Sequence, residues 1–308
     1  MGLAFFLFGM YLLSKSLEAI AGGRLERVLR SATARPLRGL ALGTAVTMAV
    51  QSSSAVTVML VSLAEAGLVT VARAVPILFG ANIGTTLTAW LLSLAGLEGD
   101  ALWIRLLKPE GFAPILAAVG ILLLYAGKTH RRHLAGEALL GFAVLMSGME
   151  QMKDAVAPLA ENEAFTDLLI RFQNPLLGVL AGAVVTAVIQ SSSASVGILQ
   201  ALAISGSVTR SLAVPLIMGQ NIGTCVTALL SSVGGGKSAK QLARLHLLIN
   251  TLGTAVFLPL YWGADRLLSF PDGPIDAFGI ALVHTFFNLG ITVLLLPFSK
   301  YLVRLTTK

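Results

Sequence analysis

Gln51-Ser52-Ser53-Ser54-Ala55 and Gln190-Ser191-Ser192-Ser193-Ala194 are the same five residues, 139 positions apart. The same offset carries Gly43 onto Gly182, Thr47 onto Thr186, Pro76 onto Pro215 and Gly80 onto Gly219. It also carries Asn82-Ile83-Gly84-Thr85 onto Asn221-Ile222-Gly223-Thr224, and Thr88 onto Thr227. An offset kept without a gap over that length marks an internal duplication. Both copies set hydroxyls and amides among Ala, Val, Leu and Ile. In a membrane chain, polar interruptions at corresponding positions of two halves point to a transporter's binding site.

Composition places the chain in a membrane. Mean hydropathy is +0.83, and of 308 residues 56% are hydrophobic and 12% charged, against roughly 25% charged in soluble domains. Apolar stretches near the about 20 residues that cross hydrocarbon lie at 112–127, 134–152, 212–233, 242–263 and 277–298. Residues 2–13 are apolar but short. An all-α integral membrane protein is expected. No basic n-region and small-residue cleavage site open the chain, so no cleavable signal is expected. The lone Cys225 excludes an intramolecular disulfide. The net charge of +7 is spread over short loops rather than one amphipathic face, which excludes a nucleic-acid surface and fits the positive-inside rule.

Those loop charges predict inverted halves. Residues 15–38 carry Lys15, Arg24, Arg27, Arg30, Arg35 and Arg38 against Glu18 and Glu26. The counterpart, 153–175, carries Lys153 and Arg171 against Asp154, Glu161, Glu163 and Asp167. Homologous loops of opposite bias belong on opposite membrane faces. Lys128, Arg131 and Arg132, then Lys237, Lys240 and Arg244, mark cytoplasmic turns; Lys300, Arg304 and Lys308 put the C-terminus inside. Asp265, Asp272 and Asp276 against Arg266 read as an outside loop. An even number of crossings must then separate 15–38 from 128–133. Taking 39–68 as a re-entrant hairpin, with Gln51–Ser54 at its tip, satisfies that count, and 176–206 enters likewise from the other face. The expected architecture is one transmembrane transport domain over 1–308. It comprises two inverted-topology repeats, about 3–127 and 142–263, each with a re-entrant helical hairpin and a broken transmembrane helix, and a final helix at 277–298.

Non-helical backbone at membrane depth must be buried in protein or line an aqueous cavity. Two opposed tips would make such a cavity, furnished with Ser52, Ser53, Ser54 and Thr57, and with Ser191, Ser192, Ser193 and Ser195. Each hydroxyl offers one donor and two acceptors, and a helix starting at a tip presents free N–H groups and a positive dipole end to an anion. Hydroxyl and carbonyl oxygens, with the Gln51 and Gln190 amides, equally suit a hard cation such as Na⁺. Uncharged ligands avoid a fixed charge at the bilayer centre, which costs at least ~2.5–3.5 kcal/mol. Pro76 with Gly80 and Gly84, and Pro215 with Gly219 and Gly223, predict the broken helix. Thr85 and Thr88, like Thr224 and Thr227, share a helix face and can complete a cation shell. Asn82 and Asn221, in the same segments, are placed with the serines around the anion. His246, Asn250, His284 and Asn288 read as structural hydrogen-bonding residues. An intramembrane serine hydrolase would need one activated nucleophile and an oxyanion hole; duplication supplies two equivalent serine clusters, and no G-x-S-x-G occurs. Neither an enzyme nor a bound cofactor is expected.

At these residues the chain resembles the type II sodium-phosphate cotransporter family, marked by two inverted repeats that each carry QSSS followed by N-I-G-T. The likeness covers most of 40–96 and 176–298, including Ala243-Arg244-x-His246-x-x-x-Asn250 and His284-x-x-Phe287-Asn288. The resemblance implies that Ser52, Ser53, Ser54, Ser191, Ser192 and Ser193 bind phosphate, with Na⁺ held by surrounding Gln, Ser and Thr groups. Animal electrogenic members tie an extra sodium to an Asp in a Gly-Asp pair. Gly99-Asp100 stands in a similar place, which adds Asp100 to the sodium candidates. Pro109-Glu110-Gly111-Phe112 stands where animal relatives carry H-D-x-F-N. Without their large glycosylated loop, the chain looks like a minimal bacterial member of the cytoplasmic membrane. The expected activity is Na⁺-coupled phosphate uptake by alternating access; a Na⁺-coupled carrier of another oxyanion or small carboxylate is the alternative.

Overall fold

The computed structural model describes residues 1–30, 35–97, 108–156, 158, 172, 174–268 and 273–307. Among these, regular structure is helical throughout, and five helices are long and apolar enough to cross a membrane. Helix α1, Gly2–Arg30, is the first of them, with an apolar span over Gly2–Gly22. It therefore runs well past Leu13, where the expected first span ended at the polar residues that follow. The polar residue Ser16 is tolerated because it finds a partner: fully buried, it donates to Glu137 at 3.0 Å.

Helices α2 (Pro36–Val50) and α3 (Ser53–Glu65) are separated by only Gln51 and Ser52. Helices α7 (Pro175–Ile189) and α8 (Ser192–Ile204) are separated by Gln190 and Ser191. Each break follows one recipe. Gln51 takes the left-handed conformation (φ 57°, ψ 26°) and Gln190 repeats it (φ 58°, ψ 21°); they are the only described non-glycine residues with positive φ. Ser52 and Ser191 are then extended, and their hydroxyls accept from Ala55 N and Ala194 N, at 3.2 Å each. This N-cap satisfies one orphan amide of the new helix. With 15 and 13 residues, these helices reach roughly 22 and 20 Å at ~1.5 Å per residue, short of the ~30 Å of hydrocarbon.

The segments expected to be broken are not. Helix α4, Val71–Ser93, runs continuously through Asn82-Ile83-Gly84-Thr85, and α9, Arg210–Ser231, through Asn221-Ile222-Gly223-Thr224. Their glycines serve close packing instead. A Cβ on Gly43 would fall 2.1 Å from the Ile77 carbonyl oxygen, and one on Gly80 2.1 Å from that of Leu40. The second copy repeats both contacts, Gly182 against Leu216 at 2.1 Å and Gly219 against Val179 at 2.0 Å. Small residues let helix backbones touch where hydrocarbon offers no hydrophobic drive.

Helices α5 (Pro109–Ala126) and α6 (His130–Val156) follow. Of the stretches read as spans, 242–263 and 277–298 fall within long apolar helices and 212–233 overlaps one as far as Ser231, whereas the apolar part of α5 is limited to Gly111–Ala126 and α6 carries charge near both ends. Helix α6 packs on α1 through a reciprocal contact. A Cβ on Gly9 would lie 2.3 Å from Leu145 N, and one on Gly148 2.2 Å from Phe6 N. One on Gly2 would lie 2.7 Å from Met152 N, and one on Gly141 2.6 Å from Leu13 N. Residues 2, 6, 9 and 13 thus meet 152, 148, 145 and 141 in reversed order, so the two helices run antiparallel. The 139-residue offset carries the set 2, 6, 9 and 13 onto the set 141, 145, 148 and 152, so the contact is reciprocal.

Helix α10 (Lys237–Leu268), α11 (Ala277–Leu295) and the short α12 (Ser299–Leu305) complete the chain. One core joins α2–α4 to α9–α11; a second gathers α1, α5, α6 and α8. The two helix breaks lie between them.

Candidate functional site

Both breaks open into one cavity of about 520 Å³. Its wall comprises Gln51–Ser54 from the first break, Val188–Ala194 from the second, and Leu7, Met10, Tyr11 and Ser14 from α1. The breaks also touch directly, Ser54 donating to the Gln190 carbonyl at 3.4 Å. Every serine of the two QSSS runs is therefore in one wall. Ser53, Ser192 and Ser193 are buried there, while Ser52, Ser54 and Ser191 are partly accessible.

The geometry of the cavity suits an anion. Helices α3 and α8 both begin at it, so two dipole N-termini, each about half a positive charge, converge on one space. Capping by Ser52 and Ser191 takes the third amide of each helix and leaves the first two, on Ser53 and Ser54 and on Ser192 and Ser193, for a ligand. No charged side chain stands in the wall.

The remaining candidates divide. Gln51 and Gln190 line the cavity, but Gln51 is tied down: its Nε2 donates to Met48 O at 2.6 Å and its Oε1 accepts from Thr88 at 2.7 Å. Gln190 is exposed, and the equivalent threonine hydroxyl, Thr227 Oγ1, is buried without a partner. Thr85 and Thr224 behave alike, each donating to the carbonyl four residues back, Ala81 and Gln220, at 2.9 Å. Asn82 and Asn221 do not line the cavity. Asn82 donates to Asn250 Oδ1 at 3.1 Å, bridging α4 to α10, and Asn221 donates to Ile217 O at 3.0 Å. Asp100 lies outside the described residues.

Of the four residues read as structural hydrogen-bonders, Asn250 and Asn288 donate to the His246 and His284 carbonyls at 3.0 and 2.8 Å, whereas His246 Nδ1, both ring nitrogens of His284 and Asn288 Oδ1 are buried without a partner. Neither imidazole is part of the cavity wall. The reading of the sequence missed the contribution of α1. Leu7, Tyr11 and Ser14 fall on one helix face by their spacings of four and three, and Ser14 inside an apolar stretch was the available signal. It also missed Thr47 and Thr186, whose hydroxyls are buried without partners at equivalent positions one turn before each break.

A profile described as Na⁺/Pi-cotransporter matches residues 5–154 and again 144–267. Among curated proteins, "Uncharacterized protein YqeW" of Bacillus subtilis (strain 168) is 30% identical over 98% of this chain and 94% of its own length. "Putative inorganic phosphate export protein YjbB" of Escherichia coli (strain K12) is 28% identical over 98% of this chain, which spans about half, 53%, of that relative. Human "Sodium-dependent phosphate transport protein 2B" is 37% identical over 44% of this chain and 20% of its own. No solved structure matches. The duplicated serine breaks, the apolar helices and the matched profile agree: this multi-pass membrane protein belongs to the Na⁺/Pi-cotransporter family.

Proposed function

We propose that this protein is a secondary active transporter that couples Na⁺ influx to inorganic phosphate uptake across the cytoplasmic membrane. The observation that carries the reading is the shared cavity, in which both QSSS breaks face one space and touch through Ser54 and Gln190. Phosphate is held by hydroxyls of Ser52, Ser53, Ser54, Ser191, Ser192 and Ser193 and by the free amides of α3 and α8. Asn82 and Asn221 position the helices behind them. Sodium is taken by neutral oxygens near the breaks, with Gln190 and Thr227 the unengaged pair and Gln51 and Thr88 their engaged counterpart. In this reading the repeats are inverted, the two short-helix pairs are re-entrant, and the C-terminus is cytoplasmic. The antiparallel, reciprocal packing of α1 on α6 supports the inversion, because equivalent helices related by a twofold axis in the membrane plane must run in opposite directions. Rocking of one repeat against the other around a fixed site gives alternating access.

Uptake of labelled phosphate into proteoliposomes tests this. An inward Na⁺ gradient should drive accumulation, and K⁺ in its place should not. The export named for YjbB makes efflux the second reading; phosphate leaving loaded vesicles without any Na⁺ requirement would favour it.

A further inference from the structure

Helix α10 opens with a basic stripe that turns apolar along one face. Lys237, Lys240 and Arg244 are spaced three and four apart, so they share that face, and all three are exposed. The face continues through Leu247, Leu248 and Thr251 into the apolar span of the helix. Beside it lies α12. Gln241 ties the two helices together, its Nε2 donating to Val303 O and to Thr307 Oγ1, at 3.0 Å each. Between them is a groove of about 500 Å³, lined by Arg244, Leu247, Leu248, Thr251, Leu305 and Thr306. Lys300 and Arg304, exposed on α12, add two more cations. No Asp or Glu occurs in 237–264 or in 277–308. A carboxylate, Glu65, reaches the start of α10, where it accepts from Gly236 N at 2.8 Å.

We propose that this groove binds one anionic phospholipid, with its phosphodiester at Arg244 and one acyl chain between α10 and α12. The walls below Arg244 are leucines in a membrane-spanning helix, so an acyl chain is the natural filling. From Arg244 to Thr251 the wall runs about 10 Å at ~1.5 Å per residue, enough to seat the upper part of such a chain. The head group is chosen by charge. A guanidinium meets phosphate oxygens through two parallel hydrogen bonds, and basic pockets between membrane helices favour anionic head groups. Lys240, Lys300 and Arg304 strengthen that preference, whereas the ammonium of a zwitterionic lipid would face cations. A second copy of the chain fits poorly, because a symmetric pairing sets the same basic stripe against itself. The site bears on α10 as a support for the motif segments. Asn250 of α10 accepts from Asn82 of α4 at 3.1 Å and donates to Cys225 of α9 at 3.3 Å, so a lipid that fixes α12 against α10 steadies the helix joining both repeats. None of this requires phosphate in the serine cavity.

The test uses the purified full chain in detergent, supplied with phosphatidylglycerol or with phosphatidylcholine of the same acyl chains. Saturating phosphatidylglycerol should raise the melting temperature by roughly 5 °C, and phosphatidylcholine should not. Native mass spectrometry should show one phosphatidylglycerol held per chain. Arg244→Gln should weaken that retention about fivefold or more and remove the melting shift, while Arg244→Lys should keep most of both. Arg131→Gln, which takes one charge from a different basic turn, should change neither. If Arg244→Gln does not assemble, Leu305→Trp fills the groove without altering charge and should lower retention in the same way. Equal shifts with the two lipids, or equal losses in Arg244→Gln and Arg131→Gln, overturn the site and leave only a general attraction of basic loops to anionic lipid. Undiminished retention in Leu305→Trp also overturns it, by removing the lipid from the groove. A dimer that dissociates in Arg244→Gln, with no lipid effect in the wild type, assigns the groove to a second copy instead.

Discussion

Thr88 donates its hydroxyl to the Gln51 side-chain oxygen at 2.7 Å, whereas Thr227, its equivalent 139 residues on, is buried with no acceptor. The two copies of one motif therefore differ in state: the first break is latched to its neighbouring long helix, the second is not. The contrast separates two roles. Thr88→Val leaves Gln51 short of a donor in a buried setting, which should cost roughly 1–3 kcal/mol and lower the melting temperature in sodium-free buffer. Thr227→Val breaks no bond and should melt as the wild type does without sodium, yet raise the sodium concentration for half-maximal uptake. Equal destabilisation by both would remove Thr227 from the cation site.

Ser53 and Ser192 are the first residues of α3 and α8, buried where the two breaks meet. Ser53→Ala combined with Ser192→Ala removes two hydroxyl donors to an anion, each worth roughly 1.5–3 kcal/mol. Phosphate affinity should fall on the order of 10²–10⁴ fold, with insertion and helical circular dichroism intact. A double variant with wild-type affinity and lowered stability would assign these serines to packing.

Gly219 lies against the Val179 carbonyl so closely that a methyl group would sit 2.0 Å from its oxygen. Gly219→Ala should therefore force α9 from α7 and cost on the order of 1–3 kcal/mol as an overpacked contact. Gly206→Ala, where nothing lies within 4 Å and only a left-handed backbone (φ 79°) resists, should cost about 1 kcal/mol. Thermal melts of the two variants check the order, which reverses if the α7–α9 contact is loose.

Much of the site was legible because the duplication repeats its polar residues at one offset, and both QSSS runs do face one cavity. The geometry of the breaks was less so. Gln51 and Gln190 adopt a backbone conformation usually reserved for glycine, and nothing in a glutamine announces that. Glycines in α4 and α9 instead read as helix breakers, when their purpose is to let α2 and α7 touch those helices. Glycine patterns carry both meanings, and only the facing backbone decides between them. The length of α1 was hidden by Ser16 and Glu18, polar residues within its apolar span; the partner of Ser16, Glu137, comes from elsewhere in the chain.

The proposed topology predicts opposite exposure of Arg131 and Asp265, from the inside and outside turns. Cysteine introduced at each should react with a membrane-impermeant maleimide from opposite faces. The native Cys225 is fully buried and gives a quiet background. Labelling of both from one face would end the inverted arrangement.

The central claim is that two duplicated breaks build a single phosphate site rather than one site each. Calorimetric titration of the purified protein with phosphate at saturating Na⁺ measures this directly. One phosphate per chain is predicted, with the heat weakened by Ser53→Ala and by Ser192→Ala alike, because both hydroxyls face the same ion. Two phosphates per chain, each lost with only one of the two substitutions, would contradict it.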